Sequence, residues 1–158
     1  MLDSTQLAKE YEYKAQTTKN KTEKITYMKE AITIYKKLGL TSDETRCLKL
    51  VSNLVEGTEK IGFLVECWKA HIKEILVYKY ETSYEWKGEV DNLSDDYALV
   101  INNSLADATE TLREILRIPG VDRDSLLEVL AIECANQQSI GGWSSEECWK
   151  SIDDAWKK

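Results

Sequence analysis

Residues 58–80, TEKIGFLVECWKAHIKEILVYKY, constrain the fold more than any other stretch. At helical spacing one apolar row runs Ile61, Leu64, Val65, Trp68, Ile72, Ile75, Leu76, and a second runs Phe63, Cys67, Ala70, Val77, Tyr78. Only a narrow polar strip through Glu66, Lys69 and Lys73 remains. A helix that is apolar almost all round belongs among other helices. Lys60, Glu66, Lys69, His71, Lys73 and Glu74 interrupt it, so it lacks the long uncharged run of a membrane span. The stretch therefore predicts the central helix of an all-α fold. One proline and seven glycines in 158 residues agree with that, because an all-β chain of this length needs many tight turns.

The flanking sequence supplies the other helices. A first helix is expected from Ser4 to about Lys19, with Leu7, Ala8, Tyr11 and Ala15 on one face. Thr22 is the expected cap of a second, which buries Ile25, Met28, Ala31, Ile32, Tyr35 and Leu38 and stops at Gly39. Thr41 and Glu44 have the spacing of a capping box for a third helix, carrying Cys47, Leu48, Leu50, Val51, Leu54 and Val55 up to Gly57. Periodicity lapses over 81–93, ETSYEWKGEVDNL, which reads as a loop, and loops of that length are often functional. Ser94, Asp95 and Asp96 then open a fifth helix, acids complementing its dipole, whose apolar row runs from Tyr97 to Leu116 before Pro119-Gly120. Asp122 or Asp124 caps a sixth. Ser144 and Glu147 form a second capping box, Trp143 staples onto Cys148, and the last helix presents Trp149, Ile152 and Trp156 on one face. The sum is about seven helices as stacked antiparallel hairpins around helix 58–80. They form one domain over 1–158, with 1–80 and 94–158 as sub-units should it divide.

The stretch YMKEAITIYKKLGLTSDETRCLKL, residues 27–50, resembles the helical hairpins of tetratricopeptide-like and SNAP-type proteins. In those, an Ala, a Tyr and KKLG close one helix before an acidic N-cap opens the next. The resemblance implies helical hairpins stacked to hold a partner peptide. It carries over no binding residues.

Catalytic signatures are missing from the sequence. His71 is the only histidine, which excludes His-pair metal sites and leaves one residue for any Ser-His or Cys-His unit. A phosphate-binding glycine loop, a dinucleotide fingerprint and the zinc-deaminase pattern are all absent. Asp91, Asp95 and Asp96 lack the glycine and glutamate of a calcium loop. The pair Glu56 and Glu59 straddles Gly57 with no matching acidic pair to complete a magnesium site. No cofactor is expected; a small-molecule ligand stays open.

Two cysteine pairs are placed symmetrically about glycines, Cys47 and Cys67 about Gly57, Cys134 and Cys148 about Gly141. Positions equidistant from the turn of a hairpin come level, which permits a disulfide where Cα atoms approach within about 7 Å. The N-terminus, MLDSTQLAKE, has no signal-peptide pattern, so a cytoplasmic location and buried reduced thiols are the expectation.

The net charge of −7 is uneven: residues 1–80 carry fourteen Lys/Arg against eleven Asp/Glu, residues 81–158 seven against seventeen. An acidic chain with four arginines is a poor general nucleic-acid binder, despite the lysines at 14, 19, 21, 24 and 29. Tryptophan and tyrosine are enriched at binding hot spots. Tyr84, Trp86, Asp95, Asp96, Trp143 and Trp156 are accordingly the candidate partner-binding residues. The favoured function is a non-enzymatic protein–protein interaction module: adaptor, assembly subunit or self-associating protein. The alternative is a small acidic inhibitor that mimics nucleic acid against a basic partner.

Overall fold

The computed structural model describes the backbone of residues 3–85, 91–137 and 146–157, and the side chains of 3–78, 99–136 and 146–157. The described residues form seven helices and no strand: α1 (Ser4–Thr17), α2 (Lys21–Leu38), α3 (Thr41–Ser52), α4 (Gly57–Glu85), α5 (Asp91–Leu116), α6 (Arg123–Gln137) and α7 (Glu146–Trp156). The fold is all-α, with neighbouring helices packed as hairpins. Two compact units divide the chain, Met1–Cys67 and Trp68–Lys158, with their boundary inside α4.

In the first unit α1 packs on α2 and α2 on α3. Ala8, Ala15 and Ala31 are buried at the contact, small enough to let the helices approach, and Met28, Tyr35, Cys47 and Val51 complete the core. Asp3 begins α1: its carboxylate accepts from the Gln6 amide while the Gln6 side chain accepts from the Asp3 amide. Asn20, not Thr22, caps α2, its side chain accepting from the Glu23 amide. The α2–α3 turn has two residues. Gly39 is left-handed (φ 71°), its amide donates to the Lys36 carbonyl, and the Leu40 amide donates back to Tyr35. Leu40 therefore both closes α2 and opens α3, and its carbonyl accepts from the Glu44 amide. The Thr41–Glu44 capping box does not form, because so short a turn places Thr41 already inside the helix. α3 also stops at Ser52, earlier than expected, and Gly57 (φ 63°) begins α4 instead of ending α3.

The second unit is built on Trp68, which is fully buried. Its indole Nε1 donates to Ser151 Oγ at 2.9 Å, and that hydroxyl donates to the Cys148 carbonyl at 2.7 Å. Ile72, Ile75, Leu76, Leu112, Ile115, Leu130 and Ile152 are buried in the same unit. Polar contacts tie α4 to α6 through Lys69 and Glu133 (3.8 Å), and to α5 through Ser104, which donates to Glu74 at 3.1 Å. Asp122 caps α6, accepting from the amides of Asp124 and Ser125 and from the Ser125 hydroxyl. Those bonds, the Ser125 amide's first, hold its carboxyl below the usual range.

Several expectations change here. Helix 58–80 extends to Glu85, and α5 starts at Asp91. Residues 81–85 contain no glycine or proline, so nothing stops the helix there. Much of the expected 81–93 loop is thus helical, and Asp95 and Asp96 lie inside α5 instead of capping it. α7 buries Cys148, Ser151, Ile152 and Ala155, so of the predicted Trp149–Ile152–Trp156 row only Ile152 is buried; Trp156 is half-buried and Trp149 is exposed. The second capping box and the Trp143 staple lie outside the described residues.

Cys134 and Cys148 form a disulfide, Cα atoms 5.6 Å apart, while Cys47 and Cys67 are buried free thiols. Reduced thiols were the expectation for both pairs, since helix axes usually stand about 8–10 Å apart. The two helices approach closely enough at these positions for the bond to form. The bond spans 14 residues. Reduction, or replacing both residues by serine, is expected to lower unfolding stability by about 3 kcal/mol. Urea unfolding followed by tryptophan fluorescence, with and without a dithiol, measures it; identical midpoints would refute a stabilising bond.

Candidate functional site

The predicted partner-binding residues are not gathered into one described surface. Tyr84 stands in the last turn of α4 and Asp95 and Asp96 in the first turns of α5, but their side chains lie outside the described residues, as do Trp86 and Trp143 altogether. Trp156, in the last turn of α7, is half-buried with the Arg123 guanidinium 5.8 Å from its ring centroid. His71 is buried. Among the described residues no group of three His, Cys, Asp or Glu side chains is placed to hold a metal ion. No described helix is long and apolar enough to cross a membrane.

The concave feature of the first unit lies elsewhere, between α2, α3 and the first turns of α4. It encloses about 270 Å³. Its floor is apolar: Ile32 from α2, Leu48 from α3 and Phe63 from α4. At one end the Lys29 ammonium lies over the Phe63 ring, 5.6 Å from its centroid. At the other, Lys36 faces Glu66 at 3.9 Å, and Glu44 contributes a second carboxylate to the wall. Thr33 lines the rim, its hydroxyl donating to the Lys29 carbonyl at 2.9 Å. Drug-sized ligands occupy roughly 300–1,000 Å³. This groove is smaller, and suits one or two side chains of a larger partner.

Behind the groove wall, a buried carboxylate fixes α3. Glu12 of α1 is only 8% exposed. It accepts hydrogen bonds from the Tyr35 hydroxyl and from both terminal nitrogens of Arg46, the second at 3.2 Å; the same Nη2 reaches Asp43 at 3.0 Å. Burial alone would raise the Glu12 carboxyl, but the Arg46 and Tyr35 bonds outweigh it and hold the carboxyl below its ordinary value. Burial, then the bond to Glu12, pushes the Tyr35 phenol up. The bond to Glu12 raises the Arg46 guanidinium. Burial and then the Glu12 charge push the Cys47 thiol up to about 12, so this cysteine is an inert packed thiol at neutral pH. The Cys67 thiol faces the Thr45 carbonyl at 3.9 Å.

Sequence reasoning missed both features. Glu12 was legible in one respect: it falls on the Ala8–Ala15 face of α1. The groove was not, because its three contributing segments are far apart in sequence.

No protein-family profile, no curated protein and no solved structure matches the chain.

Because Glu12 has its pKa lowered by folding, the unfolded chain binds its proton more tightly than the native one. The stability it supplies is complete above the unfolded carboxyl pKa, about 4.3, and is lost as pH falls through the lower native value. Glu12→Gln is expected to cost about 2 kcal/mol at pH 7, the worth of hydrogen bonds to a charged group, and to flatten the acid limb of the stability profile below about pH 4.3. Urea midpoints between pH 3 and pH 7 (about one unit apart) test both statements. An unchanged acid limb would remove Glu12 from the account.

Proposed function

We propose that the protein is a non-enzymatic interaction module, and that it holds a segment of a partner protein in the α2–α3–α4 groove of its first unit. One observation carries this reading: between α2, α3 and α4 the partly exposed side chains of Ile32 and Phe63, over buried Leu48, floor a space sized for side chains, with Lys29 at one end and the Lys36–Glu66 pair at the other. The three walls are helices held by their own backbone bonds and, at α3, by the Glu12–Arg46 clamp, so the groove is preformed. The stacking of α2 on α3 through a two-residue turn is compatible with the tetratricopeptide-like hairpin of the sequence resemblance. Adaptor and assembly subunit both fit; a self-associating protein would place a segment of a second copy there.

A second reading draws on the charge distribution. Residues 81–158, with seventeen acids against seven bases, would offer a basic nucleic-acid-binding protein an acidic surface. Capture by such a partner would weaken steeply with added salt, whereas capture by an apolar groove would not.

A cytoplasmic location belongs to this proposal as well. The Cys134–Cys148 bond is its check, since a reducing compartment keeps such thiols open. Alkylation of protein taken directly from cells reports the state.

Tagged full-length chain used as bait tests the groove. Phe63→Ala is expected to weaken the partner about 30-fold, the loss of about 2 kcal/mol of a binding hot spot, with the circular dichroism melt kept. Undiminished capture by a folded Phe63→Ala protein would move binding away from the groove.

A further inference from the structure

A covalent bond and a hydrogen-bonded chain meet at one residue of α7. The sulfur of Cys148 is bonded to Cys134 of α6, and its carbonyl accepts from the Ser151 hydroxyl, which in turn accepts from the Trp68 indole of α4. Cys134 and Cys148 are both buried, as completely as Cys47 and Cys67 in the first unit. A reductant in solution therefore reaches the bond only when this part of the unit opens. The bond, in turn, keeps α7 in the position that covers the sulfurs.

The other fastenings of α7 are few. The helix has 11 residues, and isolated helices shorter than about 12–15 residues are marginal in water. It buries Cys148, Ser151, Ile152 and Ala155, of which Ile152 alone is a large apolar side chain. Trp149 is exposed and Trp156 is half-buried. Three polar contacts remain: the Trp68–Ser151 bond, Nη2 of Arg113 on α5 donating to the Asp154 carbonyl at 3.4 Å, and the Arg123 guanidinium of α6 over the Trp156 ring. α4 and α5 are anchored more heavily. α4 buries Trp68, Ile72, Ile75 and Leu76 in this unit, and α5 buries Ala108, Leu112 and Ile115. Loss of the disulfide therefore falls on α7 before it falls on α4 or α5.

We infer that the Cys134–Cys148 pair is a redox latch for α7: oxidised, it holds the helix docked over Trp68, and reduced by a dithiol, it releases the helix while α4 and α5 keep their packing. The exchange balances. A thiolate of the dithiol attacks one sulfur of the bond, and its second thiol resolves the mixed disulfide. The S–S bond between Cys134 and Cys148 breaks, the two cysteines take up two electrons and two protons as thiols, and the dithiol closes to a disulfide. A small-molecule disulfide runs the exchange in reverse. The latch lies in the second unit and is independent of the groove between α2, α3 and α4.

Differential alkylation of the full-length protein tests it, because the four cysteines are buried alike and Cys67, which is not disulfide-bonded, serves as the internal standard. The protein is treated with a dithiol without denaturant, desalted, pulsed with iodoacetamide and mapped by mass spectrometry. Cys134 and Cys148 are expected to react about tenfold faster than Cys67, since their thiols become accessible once α7 leaves. Amide exchange of α7 is expected to rise about tenfold on reduction, with α4 and α5 protected as before. Cys134 and Cys148 reacting as slowly as Cys67, in protein whose mass shows the bond open, would overturn the latch. Exchange that rises equally in α4, α5 and α7 would overturn it too, since the bond would then support the whole unit. So would a bond that the dithiol cannot open without urea. The double variant Cys134→Ser, Cys148→Ser is expected to show the fast α7 exchange with or without dithiol; a protected α7 in that protein would count against the latch, and the alkylation of the unaltered chain decides the matter by itself should the variant not fold.

Discussion

The first unit is organised around the buried carboxylate of Glu12. Taking a carboxylate out of water costs several kcal/mol even after relaxation. Glu12 offsets this with a phenol and a forked guanidinium, so helices α1, α2 and α3 each contribute one member of the cluster. The net gain in stability from such a pair is small, and a well-packed apolar set could match it. What the pair adds is position. The α1–α2 contact is lined by Ala8, Ala15 and Ala31, whose small, smooth faces would tolerate a shift along the helix axis. Arg46 reaches both Glu12 oxygens in one alignment only. That alignment also sets where Glu44 and Leu48, two residues either side of Arg46, stand in the groove wall.

The second unit reaches the same end with different chemistry. Trp68 is large enough to fill a helix junction, but its buried N–H has to be satisfied. Ser151 accepts from it and donates its own hydrogen bond to the Cys148 carbonyl, at the residue whose disulfide ties α7 to α6. A hydrogen-bonded chain thus runs from α4 to a covalent link, with Lys69 and Glu133 facing each other beside it. Ser151 is polar and small where a heptad reading wants an apolar residue. Its hydroxyl makes burial of the indole tolerable.

How legible this was in sequence depended on how local the cause was. Seven helices, the left-handed Gly39, the turn at Gly120 and the buried Met28, Ala31 and Tyr35 of α2 follow from spacing within a few residues, whereas Leu38, expected inside, is exposed, and Ile25 and Ile32 are only partly buried. Caps were less legible, because several polar residues compete at each end: Asn20 prevailed over Thr22, and Leu40 displaced Thr41 once a two-residue turn fixed the geometry. The helical run to Glu85 was misread because alternating aromatic and charged residues imitate irregular chain, although no breaker occurs before Gly88. Glu12 raised no expectation in the sequence because its partner Arg46 is 34 residues away. The aromatic candidates drew attention by residue type, but type alone does not say which helices share a face.

The groove follows from the same distinction between local pattern and distant partner. α2 carries more apolar surface than α1 and α3 can cover, and Ile32 is left half-exposed on the side away from Ala31 and Tyr35. Phe63 reaches that side from α4 without closing it.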